Sequence, residues 1–428
     1  MANSLASNTT SKVIRAFVKA MEKQRVLSKT VNSQTFQGEF TPQFGETVYI
    51  KRPHRYNALR TTAGDISSST KSDIISGKAA ATVQNYITVA TEWTNREEAL
   101  EFDQMEEILR PAAEQCVIEL ETSLCDFMIA NAALSTGTPG TAIDAWSDIA
   151  SQMSMMKSIG VPMGEIYSVM NPWTVQNLAS AQTGLSADPS RLVQTAWEQA
   201  QISTPFAGLR AITSNSLSTY TTGTDTVRTG TLSATPDGTY LTHKDSMIQS
   251  IAVTGLDLNS TVLAGEILEF TGTGADARSY LHQRTQKTVF DGAGAPVKWR
   301  CTVTADATMN GSGAGTLLVT GAALNETDGQ YNNISTALTS GDVFVILGTE
   351  ETEYQPNLFY HKDFVGIAYV KLPKLYSTDT VATAQDGLSV RVSKYADGDA
   401  NKQMIRFDLL PAFGVMDPFF GGKGYGYA

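Results

Sequence analysis

The chain has only three cysteines and four histidines in 428 residues. Three cysteines cannot build a disulfide framework. Cys116 and Cys125 fall in a helix-like stretch, where their spacing puts them half a turn out of phase and about 13 Å apart along the axis, too far to bridge. Cys301 sits in a strand-like alternation and reads as a small core residue. His54, His243, His282 and His361 are scattered, and none has a Cys or His neighbour at metal-ligand spacing. No GxSxG elbow, Walker loop or HExxH motif occurs. No apolar run approaches the roughly 20 residues that cross a bilayer. The opening MANSLASNTTSKVIRAF lacks the apolar stretch of a secretory signal, so a protein made and kept in a cytoplasm is expected. Between Arg300 and Lys362 there is no lysine or arginine.

What is present is sorted charge. Residues 1–60 carry ten Lys/Arg against three acids, and residues 92–126 carry eleven Asp/Glu against two Arg, in a chain of net charge −11. Opposite charges gathered on separate stretches suit a subunit that reaches onto a neighbour, because complementary patches set partner and register. The carboxylates at 97, 98, 101, 103, 106 and 107 read as a solvated or interfacial helix face and not as an acid/base site, since no opposed apolar pocket is apparent.

The spacing of apolar residues gives the elements. Val13, Ile14, Phe17, Val18 and Met21 predict an amphipathic helix within 10–29, with Lys12, Arg15, Lys19 and Lys23 on its basic face; it reads as an arm docked on protein. Residues 36–90 read as a long β-hairpin, with Val48 and Ile50 going out and Val83, Ile87 and Val89 coming back. The stretch between, RTTAGDISSSTKSDIISGKA, has too little apolar content for its own core and must be ordered from outside. Residues 94–134 are helical. Pro111 either kinks one helix or opens a second, and the second arrangement is expected, with Ala112, Cys116, Leu120, Leu124, Phe127 and Asn131 as its repeat. A helix over 147–159 ends at Gly160, a strand follows at 165–170, and Asn171-Pro172 opens the next helix, with Gly184 past its end. Asp188-Pro189 opens a third.

Residues 216–352 turn Thr/Gly/Ser-rich. Strand-like runs at 247–254, 266–271, 297–304, 315–320 and 342–348 suggest an all-β barrel or sandwich. Three more strands are expected at 363–372, 388–395 and 403–410. Asp397, Asp399, Asn401 and Asp408 match positions of a calcium loop, but Lys402 stands where glycine is needed and strands flank the site, so a hairpin turn is the expectation. The glycine run GGKGYG at 421–426 precedes no helix and is not read as a phosphate cradle.

Several long stretches carry a resemblance: IKRPHRYNALRTTAGDIS, IISGKAAATVQNYITVA, EEILRP, AQTGL, PNLFYHKDF and KYADGDANKQMIRFDLLPAF. In these the chain resembles the major capsid (coat) proteins of short-tailed phages of the Salmonella and Shigella type. The resemblance implies an α+β, Hong Kong 97-type capsid fold with an inserted all-β barrel domain. Its parts would be an N-terminal arm (1–35), an extended loop (36–90), a peripheral domain with a spine helix (91–140), an axial domain (141–215), the β-barrel insertion domain (216–352) and return strands (353–428). A loop crossing two-fold axes is expected at 225–246.

The implied function is a non-enzymatic shell subunit without cofactor or metal. It would assemble as hexamers and pentamers with a scaffolding protein, hold a portal protein at one vertex and enclose double-stranded DNA without sequence specificity. The charge sorting offers Lys51, Arg52, Arg55, Arg60 and Lys71 on the loop, and Glu97, Glu98, Glu101, Glu106 and Glu107 on the helix, as inter-subunit contacts. A nanocompartment shell with the same fold is the alternative, and a surface adhesin is a third reading.

Overall fold

Strand-period alternation dominates the described residues, with three longer helices set among the strands. The computed structural model describes residues 25–35, 45–94, 105–183, 202, 205–271, 278–376, 379–383 and 387–427. The chain divides into two units: Met1–Tyr49, Ala80–Cys125 and Val365–Val415 in one, Ile50–Ala79, Asp126–Phe364 and Met416–Ala428 in the other.

The first unit holds two four-stranded sheets. One runs in the order Thr47–Lys51, Lys78–Val83, Pro411–Val415, Val365–Tyr369. The expected hairpin is present, but its return strand ends at Val83. The polar triplet Gln84-Asn85-Tyr86 breaks the alternation, and the Gln84 N–H turns to the Pro411 carbonyl at 2.9 Å. Ile87 and Val89 therefore belong to a new strand, Ile87–Thr94, at the edge of the second sheet, whose order is Thr380–Thr383, Ser389–Asp397, Lys402–Leu409, Ile87–Thr94. Ser389–Asp397 and Lys402–Leu409 form the expected hairpin, with Asp397 opposite Lys402. Asp397 Oδ1 accepts the N–H groups of Asp399 and Ala400, and Asn401 has φ 54°, so these residues build a turn.

Helix α1, Met105–Asn131, is continuous through Pro111. The second helix expected to open at Pro111 is therefore not separate. An interior proline costs roughly 3 kcal/mol through a lost hydrogen bond and a clash, and the buried stripe of Ala112, Cys116, Leu120, Leu124 and Met128 offsets that. Phe127 and Asn131, expected in this stripe, are only half-buried. Of the helix expected within 10–29, residues 10–24 lie outside the described residues, and the described end holds the single helical turn Leu27–Thr30; the helix opened by Asp188-Pro189 also lies outside them.

In the second unit, helix α2 (Trp146–Ile159) ends at Gly160 in the left-handed region, φ 96°. Helix α3 (Pro172–Thr183) is capped by Asn171, whose Oδ1 accepts the Trp173 N–H at 2.8 Å. A six-stranded sheet orders Leu134–Thr136, Gly421–Gly424, Asn357–His361, Ile166–Met170, Leu209–Thr213 and Pro205–Phe206. The glycine run supplies a central strand: a Cβ on Gly422 would come within 2.2 Å of the Phe359 ring. Helix α2 packs beside the strands at 134–136 and 421–424.

Six further strands close into an antiparallel barrel: Ile248–Thr254, Gly315–Thr320, Arg300–Val303, Ile267–Phe270, Val343–Leu347 and Thr229–Leu232. All five runs expected from sequence are in it. The sixth, Thr229–Leu232, lies within the stretch expected to cross two-fold axes. Alternation fills the interior with Ile251, Val253, Leu317, Val319, Phe344 and Ile346, all at most 2% exposed.

Candidate assembly surface

The loop at 52–77 is built from its root outward, and the sequence does this with side chains that bond to backbone. Arg52 is buried. Its Nε donates to the Lys78 carbonyl at 3.3 Å, Nη2 to the Asp245 carbonyl at 3.3 Å and Nη1 to the Met416 carbonyl. Burial lowers its pKa, with Asp417, Tyr240 and Asp245 acting against the shift. Across the root, the Arg52 N–H meets the Gly77 carbonyl at 2.9 Å. Gly77 is required here: a Cβ would stand 2.4 Å from the Lys244 carbonyl oxygen.

Further out, Arg55 Nη2 donates to Gln283 Oε1 at 2.8 Å and stands 3.6 Å from Asp417. Its guanidinium lies over Tyr331, which stacks on Tyr240 at 3.6 Å between ring centroids. Burial raises the Tyr240 pKa to about 12. His54 Nδ1 bonds the Ile75 carbonyl at 3.1 Å, Gln330 Nε2 the Asp73 carbonyl at 2.6 Å, and Asn57 Nδ2 the Asp328 carbonyl at 2.9 Å. The last rung is the Asn57 N–H on Ser72 Oγ at 2.8 Å.

Past that rung the described bonds of residues 58–71 are local. The Ser67 N–H reaches Asp65 Oδ1 at 2.9 Å and the Ser69 N–H reaches the Ile66 carbonyl at 3.1 Å. Leu59 and Ile66 are exposed here, and Tyr56 and Ile74 on the flanks are 60% and 77% exposed. A clamped root and an unsupported tip with outward apolar side chains is the form of a segment that finishes its packing on another surface.

The sequence-nominated residues separate accordingly. Lys51, Arg60 and Lys71 are exposed and available to a second chain. Arg52 and Arg55 are spent inside their own chain on carbonyls, Gln283 and Asp417, a role that their place in a basic run does not announce. Glu106 and Glu107 lie in the first turn of α1. Glu97, Glu98 and Glu101, like Lys12, Arg15, Lys19 and Lys23, lie outside the described residues. Within the same acidic stretch, Glu121 is not on a solvated face at all: it is 1% exposed. Only its place in the apolar repeat, one residue after Leu120, hints at that.

Among the described residues, no group of three or more His, Cys, Asp or Glu is placed to hold a metal ion. Nor is any described helix long and apolar enough to cross a membrane. A cavity of about 640 Å³ lies between the serine-bearing face of α2 and residues 290–298. Its charged groups are already partnered, Glu269 taking Lys298 at 2.8 Å and Arg300 at 2.7 Å.

Comparison with known proteins places this geometry. The family described as P22 coat protein, gene protein 5, matches residues 1–426. A major capsid protein of Acyrthosiphon pisum secondary endosymbiont phage 1 is 42% identical over 429 residues, covering 100% of both chains. Solved structures with similarity include one from Mycobacterium phage Che8, at 13% identity and TM-score 0.47 over 94% of this chain and 90% of that one. Another is the capsid of cyanophage P-SCSP1u, at 9% identity and TM-score 0.44 over 94% and 89%. The chain is thus a phage major capsid protein, a virion component that associates with copies of itself. It belongs to the P22 coat protein family.

Proposed function

We propose that this chain is the subunit of the icosahedral procapsid of a short-tailed phage. It would assemble as hexamers and pentamers around a scaffolding protein in the host cytoplasm, with a portal protein at one vertex. The shell would then enclose double-stranded DNA, a structural role without catalysis. The closed barrel at 229–347 would be the inserted domain of a Hong Kong 97-type fold, α1 its spine helix, and 52–77 its extended loop. A net charge of −11 suits a wall that lines densely packed DNA without gripping it.

The observation that carries the reading is the loop. Its root is fastened by many hydrogen bonds, while its tip exposes Leu59 and Ile66 beside Arg60 and Lys71. The tip would lie on the adjacent subunit, with Lys51, Arg60 and Lys71 facing the acidic stretch that contains Glu97, Glu98, Glu101, Glu106 and Glu107. Each exposed pair contributes about 0–1 kcal/mol, so the contact gains its strength from repetition around a capsomer.

Co-expression with the scaffolding protein and electron microscopy tests this. Wild-type protein should give closed shells, and the double variant Arg60→Glu, Lys71→Glu should give soluble folded subunits with few shells. Shells in normal yield from the double variant would remove the electrostatic contact. A wild-type chain that stays monomeric with scaffold present would remove the shell reading itself.

A further inference from the structure

Residues 25–32 form a short anchored segment whose centre is a buried carboxylate on α1. Glu121 Oε2 accepts the Leu27 N–H at 2.6 Å and the Val26 N–H at 3.3 Å. Its Oε1 accepts the Ser28 N–H at 3.0 Å and the Ser28 hydroxyl. These are the free N–H groups at the start of the single helical turn Leu27–Thr30, and that turn has no cap of its own. Ser28 Oγ in turn accepts Arg25 Nε at 2.8 Å. Arg25, 3% exposed, also lies over the Tyr369 ring and donates to its hydroxyl at 3.2 Å. Leu27 and Val31 are buried, and Asn32 bonds Val365 and Ile367 at the edge of the strand Val365–Tyr369.

A carboxylate this deeply buried is costly unless its lone pairs are taken, and here four donors come to it from three consecutive residues, Val26, Leu27 and Ser28. The rest of α1 keeps its apolar stripe without Glu121, so packing alone does not require an acid at this position. We infer that Glu121 is a positioning residue for assembly: it fixes where residues 25–32 sit against α1, and so the point from which the N-terminal arm that the resemblance implies is presented to a neighbouring subunit. The inference rests on the shell-subunit reading.

The test uses full-length protein with two readouts. All three native cysteines are buried, so Lys29→Cys on the exposed side of the turn takes a nitroxide label selectively. In unassembled subunits, Glu121→Gln keeps the side-chain volume but offers one acceptor oxygen where four donors converge. Spectra should then show a highly mobile label population raised about tenfold, since hydrogen bonds to a charged group are individually strong. Melting of the subunit should stay within a few degrees of wild type, while shell yield with scaffold falls at least tenfold or shells become irregular. Ser28→Ala, which removes one of the four donors to Glu121 together with the acceptor of Arg25 Nε, should give a smaller change in the same direction and keeps the test alive if Glu121→Gln does not fold. Unchanged label mobility in both variants would overturn the anchoring. A mobile root with normal shells would overturn the positioning role. Absence of wild-type shells would strike the underlying shell reading instead.

Discussion

The Lys423 ammonium donates a 2.6 Å hydrogen bond to the Gly265 carbonyl, tying the C-terminal glycine strand to a turn of the barrel. Lys423 is fully buried, lies 5.4 Å from the Tyr220 ring centroid and feels Cys301 and Glu266. Glu266, itself 0% exposed, is held by Arg228 at 2.7 Å and by the N–H groups of Gly223 and Leu263. Tyr425 completes the cluster by donating to the Tyr220 hydroxyl at 2.8 Å.

Burial lowers the Lys423 pKa from 10.5 to about 7. Above pH 7 the unfolded chain keeps a proton that the folded chain releases, so stability rises with pH. Cys116 and Cys301 act oppositely above pH 9, because burial raises both to about 12. The melting temperature of unassembled subunits should therefore climb between pH 7 and pH 9, and Lys423→Met should flatten that climb. Calorimetric scans across this window check it, and equal slopes in both proteins would reject the assignment.

Asp408 is fully buried in the sheet of the first unit. It takes Arg391 and Arg406, both at 2.6 Å, and the Thr88 hydroxyl at 2.8 Å. Burial would raise its pKa, but hydrogen bonds from Arg391, Arg406 and Thr88 more than offset this and hold it below the ordinary carboxylate value. Its stabilisation is present above the unfolded pKa of 3.8 and is lost as pH falls below about 4. Asp408→Ala strands the buried Arg391 and should cost about 3–5 kcal/mol in urea titrations. Arg406→Ala, at a half-open position, should cost under about 1 kcal/mol.

Gly422→Ala places a methyl 2.2 Å from the Phe359 ring carbon. The strand cannot move without breaking its pairing with Asn357–His361, so a loss of about 1–3 kcal/mol or more is expected. Gly398→Ala has open space around the added carbon and should be neutral. Thermal melts of the two variants separate crowding from a general intolerance of glycine replacement.

Arg52→Glu should behave differently from charge reversal at the loop tip. A carboxylate at the root would face the carbonyl oxygens of Lys78, Asp245 and Met416. Insoluble or protease-sensitive subunits are expected, whereas reversal at Arg60 and Lys71 leaves the subunit folded. Pulse proteolysis of the soluble fraction reads the difference, and a well-folded Arg52→Glu subunit would contradict the clamp.

Much of the fold is legible in sequence because alternation was strong where strands are half-buried. The five expected barrel strands, the Asp397 turn, Gly160 and the Asn171-Pro172 start all carry local chemistry that names their geometry. Thr229–Leu232 carried too little: one bulky apolar residue in four leaves no period to count. Gly421–Gly424 hid as a strand because its glycines answer to Phe364, Phe359 and Gln152, residues more than fifty positions earlier that no local rule connects to it. Charge was the least legible property. Arg52 and Glu121 sit in runs of like-charged residues that read as surface, yet both are buried on backbone groups.

The long separation of Ile87–Thr94 from its partner strand sets a timetable for synthesis. Glu92 pairs with Lys402, 310 positions later. At ribosomal speeds of about 5–20 residues per second, that edge waits roughly 15–60 s for its partner. The barrel, whose strands all fall between Thr229 and Leu347, can close during that wait. An emerging chain is therefore exposed longest at its first-made sheet, so chaperone demand and aggregation of slow-growing nascent chains should concentrate there and not in the barrel.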